Sequence, residues 1–498
     1  MTAAVAETPE TADSRRWFVL VVLGLAQMMV VLDGTIVNIA LPTAQQSLGF
    51  SNSDRQWVVT AYALAFGSLL LLGGRLSDLF GRKRTFLVGL VGFAGASALG
   101  GAASTFGMLV AARALQGAFG ALLAPAVLAL LTTTFTDPAE RGRAFGIYGA
   151  ILGGGGAIGL LLGGVLTTYA SWRWTLFVNP VIAAIAFIGG VALLQQSRSE
   201  HRPRLDLPGV LTASAGLFAL VYGFAHADTS GWQDPITLGF LIGGPALLVA
   251  FIAIEARVAN PLLPLRVLVD RNRGGSYVAL FLAVVGMYGV FLFLTYYLQA
   301  TLGYSAVRTG FAFLPMVIAV SLTAALANAK LLPRLGPRPL VPTGMVVAAL
   351  GIILFTRLGA HSSYLPDILP GLLVLGVGLG LAVSPSVNTA TVGVEPDDAG
   401  VASAMVNTSQ QIGASIGISL LNTLAASAVS SFLASHQQSP TLAAQAALHS
   451  YTVAFWWCAG ILAVGAAATR LLFRSTAVVA PTGAQARPAL VHASAVSR

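Results

Sequence analysis

Two ionisable side chains stand deep inside long apolar runs of this chain: Asp33, in LDGTIVNIALP (Leu32 to Pro42), and Arg113, in RALQGAFGA (Arg113 to Ala121). An ionised carboxylate on a lone helix in hydrocarbon costs about 2.5–3.5 kcal/mol even on the lenient insertion scale, so Asp33 must face protein or water. An acid and a base at one depth in neighbouring helices neutralise each other, and protonating the acid or presenting a competing cation opens the pair. Asp33 and Arg113 are therefore the candidate coupling residues. Asp33 is expected to be the shared site for a proton and a cationic guest.

The elements that position them are membrane helices. A chain of 498 residues that is 56% hydrophobic and 9% charged has too few polar residues to wet a globule of its size, so it belongs in a bilayer. A crossing helix needs about 20 mostly apolar residues. That length predicts fourteen spans, at 17–40, 57–76, 85–103, 107–134, 144–168, 174–196, 208–227, 235–255, 276–300, 308–330, 339–356, 368–388, 400–425 and 449–473. Asp33 and Arg113 each fall about seven residues from the outer end of their spans, roughly 10 Å deep at 1.5 Å per residue. Of the 27 Lys and Arg residues, 22 lie in the termini and the loops on their side, which predicts cytoplasmic termini. The tails, 1–16 and 474–498, are polar or rich in Ala and Ser. SRRWFVL (Ser14 to Leu20) resembles a twin-arginine export signal, but its apolar run is too long and carries Asp33.

Several classes of chemistry are disfavoured. The one cysteine, Cys458, permits no internal disulfide, and the six histidines fall in loops, span ends or the tail, so no metal site is expected. The net charge of +9 comes from cations scattered between apolar runs, unlike a nucleic-acid-binding domain. There is no Walker motif or soluble nucleotide domain, and no catalytic carboxylate or histidine cluster at one membrane face. An enzyme or an ATP-driven pump is not expected. No cofactor is expected beyond a proton as coupling ion; the partners are the lipid bilayer and a small molecule, and the chain is read as a monomer.

The loop between spans 2 and 3 reads GRLSDLFGRKR (Gly74 to Arg84), and that between spans 10 and 11 reads AKLLPRLGPRP (Ala329 to Pro339). A shift of 255 residues lays Leu76 on Leu331, Gly81 on Gly336 and Lys83 on Arg338, with Asp78 on Pro333. This echo predicts an all-α membrane protein of two homologous six-helix bundles, 17–200 and 270–473, joined by an inserted helix pair at 205–256. In the first loop, Gly74, Asp78, Gly81, Arg82 and Lys83 form a candidate gate: glycine permits the turn, and Asp78 can face the positive N-terminal end of a helix across the bundle interface. Glu395, Asp397 and Asp398 precede span 13 as capping acids.

Taken together, GRLSDLFGRKR, RALQGAFGA and LDGTIVNIALP resemble the signatures of the major facilitator superfamily, fourteen-span drug:proton antiporter branch. WVVTAYAL (Trp57 to Leu64), SWRWTLFVN (Ser171 to Asn179) and NTSQQIGASIG (Asn407 to Gly417) are further matches. The resemblance implies the major facilitator fold and makes the helix opposite Asp78 span 13, beginning near Gly400. It also assigns Gly155, Gly159, Gly163 and Gly164 to the span-5 antiporter motif, GGGGAIGLLLGG (Gly153 to Gly164), where Leu160 stands in place of the family's proline. Glycine there admits close helix approach, and loss of the proline removes a kink.

Polar and aromatic residues in or near spans supply cavity candidates: Gln27, Asn38, Gln56, Trp57, Tyr62, Tyr148, Gln299, Asn388, Asn407, Gln410 and Gln411. Trp172, Trp174, Trp232, Trp456 and Trp457 are expected in interfacial belts. The function expected is proton-coupled export of amphipathic or cationic drugs or antibiotics across the cell membrane by alternating access. The alternative is export or import of another small metabolite such as a siderophore. Arginine preference and heavy Ala and Gly use suggest a high-GC bacterium.

Overall fold

The computed structural model describes residues 9–51, 54–135, 137–195, 206–258, 261, 263, 265–391, 399–437 and 439–474, and every regular element among them is helical. Six long helices come first: α1 (Pro9–Leu48), α2 (Gln56–Phe80), α3 (Arg82–Gly101), α4 (Phe106–Thr134), α5 (Pro138–Tyr169) and α6 (Trp174–Leu193). A pair follows, α7 (Leu207–Ser230) and α8 (Pro235–Glu255), then the short α9 (Leu265–Val269). The second half holds α10 (Arg271–Tyr296), α11 (Ala306–Leu326), the one-turn α12 (Leu332–Leu335), α13 (Pro337–Phe355), α14 (Leu369–Thr391), α15 (Ala399–Ser435) and α16 (Leu442–Leu472). Three π-helical turns, at Tyr297–Thr301, Ala327–Leu331 and Tyr364–Ile368, extend α10, α11 and α14.

Among the described residues, twelve of these helices are long and apolar enough to cross a membrane. The other two long ones, α2 and α5, carry shorter apolar stretches, Trp57–Leu70 and Ile158–Tyr169. Each has a charged end: α2 finishes on the GRLSD segment and α5 opens on Glu140, Arg141 and Arg143. The first helix begins at Pro9, ahead of the apolar run at Trp17 and inside the expected tail.

Helix α1 packs on α4, α5 and α6, while α4 also carries α2 and α3; in the second half α10 packs on α14, α15 and α16, and α13 on α14 and α16. The two halves meet where α5 lies on α11 and α2 on α15, and α7 runs along the α2 and α15 seam with α8 behind it. The loop repeat is also a structural repeat. Gly81 and Gly336 both adopt positive φ, 93° and 72°, and each amide donates to the carbonyl four residues back, Ser77 at 3.1 Å and Leu332 at 2.9 Å. Both glycines end one helix and start the next at a corner that a side chain would strain.

The core is divided by height. At the face opposite the chain termini both halves meet in one cluster, in which Ile36, Val37, Leu41 and Val58 join Phe291, Phe293 and Tyr297, and the same cluster continues through the second half to Phe473. Toward the terminal face each half has its own, around Phe66, Phe86 and Leu123 in the first and around Tyr277, Leu280 and Val406 in the second. There α7 and α8 bridge them, with Val210 and Phe251 packed against Leu72 of α2 and Met405 of α15.

Candidate functional site

Four helices converge on Asp33, which is fully buried. Arg113 of α4 donates from Nη1 to Asp33 Oδ2 at 2.5 Å. Gln116, one turn further along α4 and so on the same face, donates from Nε2 to Oδ1 at 3.0 Å, and Asn179 of α6 donates from Nδ2 to Oδ1 at 2.8 Å. Asn179 also donates to Ser97 Oγ of α3 at 2.9 Å, and Ser97 donates to the Leu176 carbonyl at 2.7 Å. The guanidinium is spread over further acceptors, with Nε on the Val58 carbonyl at 3.0 Å and Nη1 on Gln116 Oε1 at 2.9 Å. Its Cζ sits 4.4 Å above the Tyr62 ring, and Arg113 itself is 1% exposed. A carboxylate that accepts three hydrogen bonds while facing a guanidinium is satisfied as an anion. A proton placed on it would turn an acceptor toward donors and leave Arg113 without its counter-charge.

Helix geometry turns Asp33 inward. Residues 24, 28, 31 and 35 of α1 face α5, because side chains added at Gly24 or Gly155 would meet Ile151, Val31 or Met28, whereas Asp33 points between α4 and α6. The face carrying Gly34 looks toward the second half: a Cβ on Gly34 would lie 3.7 Å from the Tyr288 hydroxyl of α10.

The other expected residues fall in separate places. Tyr62 is buried, and its hydroxyl has no partner; Gln27 is buried, with its Oε1 likewise unpartnered. Asn38 bonds back to the Gly34 carbonyl at 3.3 Å, and Tyr148 packs into the first-half core. Gln299 donates to the Ile39 carbonyl at 3.3 Å, joining the halves at the face opposite the termini, where Arg55 also stacks 3.2 Å above the Tyr296 ring. Asn388 bonds to Asn328 at 3.4 Å, and Asn328 to Ser384 at 2.5 Å, beside the π-turn of α11. Trp57 packs against Tyr222 of α7 in a tilted pair, ring centroids 5.9 Å apart. Gln411 lies on the seam beside Gly67, while Asn407 and Gln410 are half-buried on α15. The side chains of Gln56 and Asp78, together with Glu395, Asp397 and Asp398, lie outside the described residues.

In the loop between α2 and α3, Lys83 caps α6 by donating to the carbonyls of Val191 at 2.9 Å and Leu194 at 2.6 Å, and Arg75 donates to the Pro261 carbonyl at 3.0 Å. Gly74 lies 3.8 Å from Pro125 as a Cβ would measure it, and Arg82 is half-buried. The span-5 glycines are all contact points. A Cβ on Gly155 would meet Val31 at 3.1 Å, one on Gly163 the Ile36 carbonyl at 3.0 Å, and one on Gly164 the Ala306 carbonyl at 2.8 Å, while Gly159 abuts Thr35. Leu160 presents its carbonyl 2.6 Å from where a Cβ on Gly310 would stand, so the residue in the proline's place is part of the α5 and α11 contact.

Trp172 departs from the expected belt: it is 4% exposed, packed under Arg173, whereas Trp174, Trp456 and Trp457 are about half exposed. Gln116, Asn179, Ser97 and Tyr288 were not foreseen. Gln116 and Asn179 stood within RALQGAFGA and SWRWTLFVN, and the one-turn spacing of Gln116 from Arg113 was the available signal.

With this geometry in place, likeness to known proteins decides the family. The family model for the Major Facilitator Superfamily matches residues 23–418. The chain belongs to the Major Facilitator Superfamily. It is a multi-pass membrane transporter and not an enzyme. It is similar to the puromycin resistance protein of Streptomyces alboniger, 50% identical over 93% of this chain and 92% of that one. The cephamycin export protein of Amycolatopsis lactamdurans is 39% identical over 84% and 87% of the two chains. Among solved superfamily structures, a bacterial homologue of the human lysosomal transporter Spinster matches in fold with a TM-score of 0.65 and 16% identity, over 94% of this chain and 98% of that one.

Proposed function

We propose that this transporter exports amphipathic or cationic antibiotics from the cell in exchange for protons. The observation that carries the coupling is the buried Asp33 cage: one carboxylate held by donors on two helices, α4 and α6, whose protonation would release Arg113 and loosen α1 from both. Resistance and export relatives support the direction and the substrate class. The charge bias of the loops supports cytoplasmic termini, and the fourteen long helices support fourteen crossings by a single chain of two bundles and an inserted pair. On that orientation the shared core closes the outer face, leaving the separate cores as the inner, cytoplasmic half of an alternating-access cycle. In this reading Asp78 and its loop gate the cytoplasmic side against the start of α15.

The test is transport in everted membrane vesicles containing the chain, with puromycin as substrate. Uptake should stop when a protonophore collapses the gradient with ATP present. Uptake that persists, or that needs ATP hydrolysis with the gradient collapsed, overturns the proton-driven reading.

A further inference from the structure

One turn beyond the Asp33 cage, toward the face opposite the termini, the same helices enclose a cavity of roughly 10 Å³. That is room for about one water molecule. Its inner rim includes Val37, Leu109 and Thr175, which stand one turn from Asp33, Arg113 and Asn179 on α1, α4 and α6, so the cavity is the layer directly outward of the cage. Val58 of α2 joins the rim, and its carbonyl accepts from Arg113 Nε at 3.0 Å. Ala40 and Ala44 continue the wall along α1, about 10 Å from Val37 to Ala44, and Trp172, just ahead of α6, stands at the outer end. These residues are at most 6% exposed.

Trp172 is held in place. The Arg173 guanidinium lies 4.6 Å from its ring centroid and donates to the carbonyls of Gly101, at 3.0 Å, and Ala103, at the end of α3 and just beyond it. At the other end the cage has an acceptor to spare. Asn179 Oδ1 is buried without a hydrogen-bond partner, while Nδ2 of the same amide donates to Asp33 Oδ1 at 2.8 Å. Side chains on a helix lean toward its N-terminus, which for α6 is the end at the cavity, so Asn179 leans from α6 toward Thr175. An apolar space this small does not hold water stably, and hydrophobic constrictions conduct when wetted and close when they dewet.

Resting on the proton-exchange reading, we propose that protons reach Asp33 through this cavity, inside the first bundle, with Trp172 as the plug at its outer end, while substrate passes between the two halves. Proton and substrate then travel by separate routes. The apolar wall keeps the proton route from leaking, because it conducts only while wetted. Asn179 Oδ1 supplies the acceptor for water entering at the rim. The excess proton of a hydronium passes to Asp33, forming the O–H bond there, leaving water behind and breaking the pair with Arg113.

Gradient-driven uptake of puromycin into everted vesicles, set beside exchange of labelled for unlabelled puromycin with no gradient, separates the two routes. Ala40→Val and Ala44→Val, which fill the cavity and leave every cage residue in place, should each lower gradient-driven uptake about tenfold and leave exchange unchanged. Unfolding midpoints in detergent establish that these variants fold, since added methyl groups can overpack a core. Trp172→Phe, a smaller plug under the same Arg173, should raise uptake at a small proton gradient, and it decides the matter even where a filled cavity does not fold. Normal gradient-driven uptake in folded Ala40→Val and Ala44→Val, equal losses of uptake and exchange, or no gain in Trp172→Phe overturns the route. In each of those cases wild-type uptake that a protonophore stops keeps the export reading standing; a wild type indifferent to the gradient overturns that reading, and this route with it.

Discussion

Two amides and a guanidinium, none of which gives up a proton near neutral pH, are what hold the Asp33 carboxylate. Its charge can therefore change only by a proton arriving from outside the cage, and the first casualty of that arrival is the bond to Arg113. Removing one member of a buried pair strands the other, at a cost of about 3–5 kcal/mol, whereas removing both charges is often nearly neutral. Arg113→Gln should accordingly lower stability by about that amount. Asp33→Asn combined with Arg113→Gln should recover most of it while transport stays abolished. Unfolding midpoints in detergent measure the first quantity and vesicle uptake the second; a double variant as unstable as Arg113→Gln would mean that the two charges are not energetically coupled. Asp33 and Arg113 were legible because charge inside an apolar run is rare. Gln116, Asn179 and Ser97 were not, because uncharged polar residues are common in spans and a linear pattern does not say which helices adjoin.

At the scale of elements, one corner is built twice. Gly81 and Gly336 share a positive φ and the same capping bond, yet only the first sits in a loop that retains its Asp and its basic run. A side chain forced into that backbone region costs about 1–3 kcal/mol, so Gly81→Ala and Gly336→Ala should destabilise the protein to a similar degree. Their effects on transport should differ: Gly81→Ala should lose most of it and Gly336→Ala little, at equal amounts of folded protein in the membrane. Equal transport losses would assign both corners to folding alone. The helix positions were readable from apolar run length, and each expected span falls within a described helix or its π-helical extension, save for a few residues at the ends, although among the described residues twelve of those helices are long and apolar enough to cross a membrane. The π-turns and the start of α1 at Pro9 were not, since a π-turn keeps the apolar pattern of the helix it interrupts.

Across the whole molecule, closure is asymmetric. The two halves share a core near Ile39 and Gln299 and keep separate cores toward the termini, where the inserted α7 and α8 span the gap. Alternating access requires the shared core to part, because a substrate released at that face must pass between α1 and the end of α10. The hydrogen bond from Gln299 to the Ile39 carbonyl marks a place where the two backbones are close enough to be tied. Cysteines introduced by Ile39→Cys and Gln299→Cys, bridged with a short bifunctional thiol reagent, should hold the halves as they stand here. Background reaction should be low, since Cys458 is fully buried. Crosslinking should stop uptake into everted vesicles by more than about tenfold, because the bridged face can no longer part. With a cleavable reagent, reduction should restore transport. Full transport in the crosslinked protein would mean that the face near Ile39 and Gln299 never opens in the cycle, and would remove the alternating-access reading of the divided core.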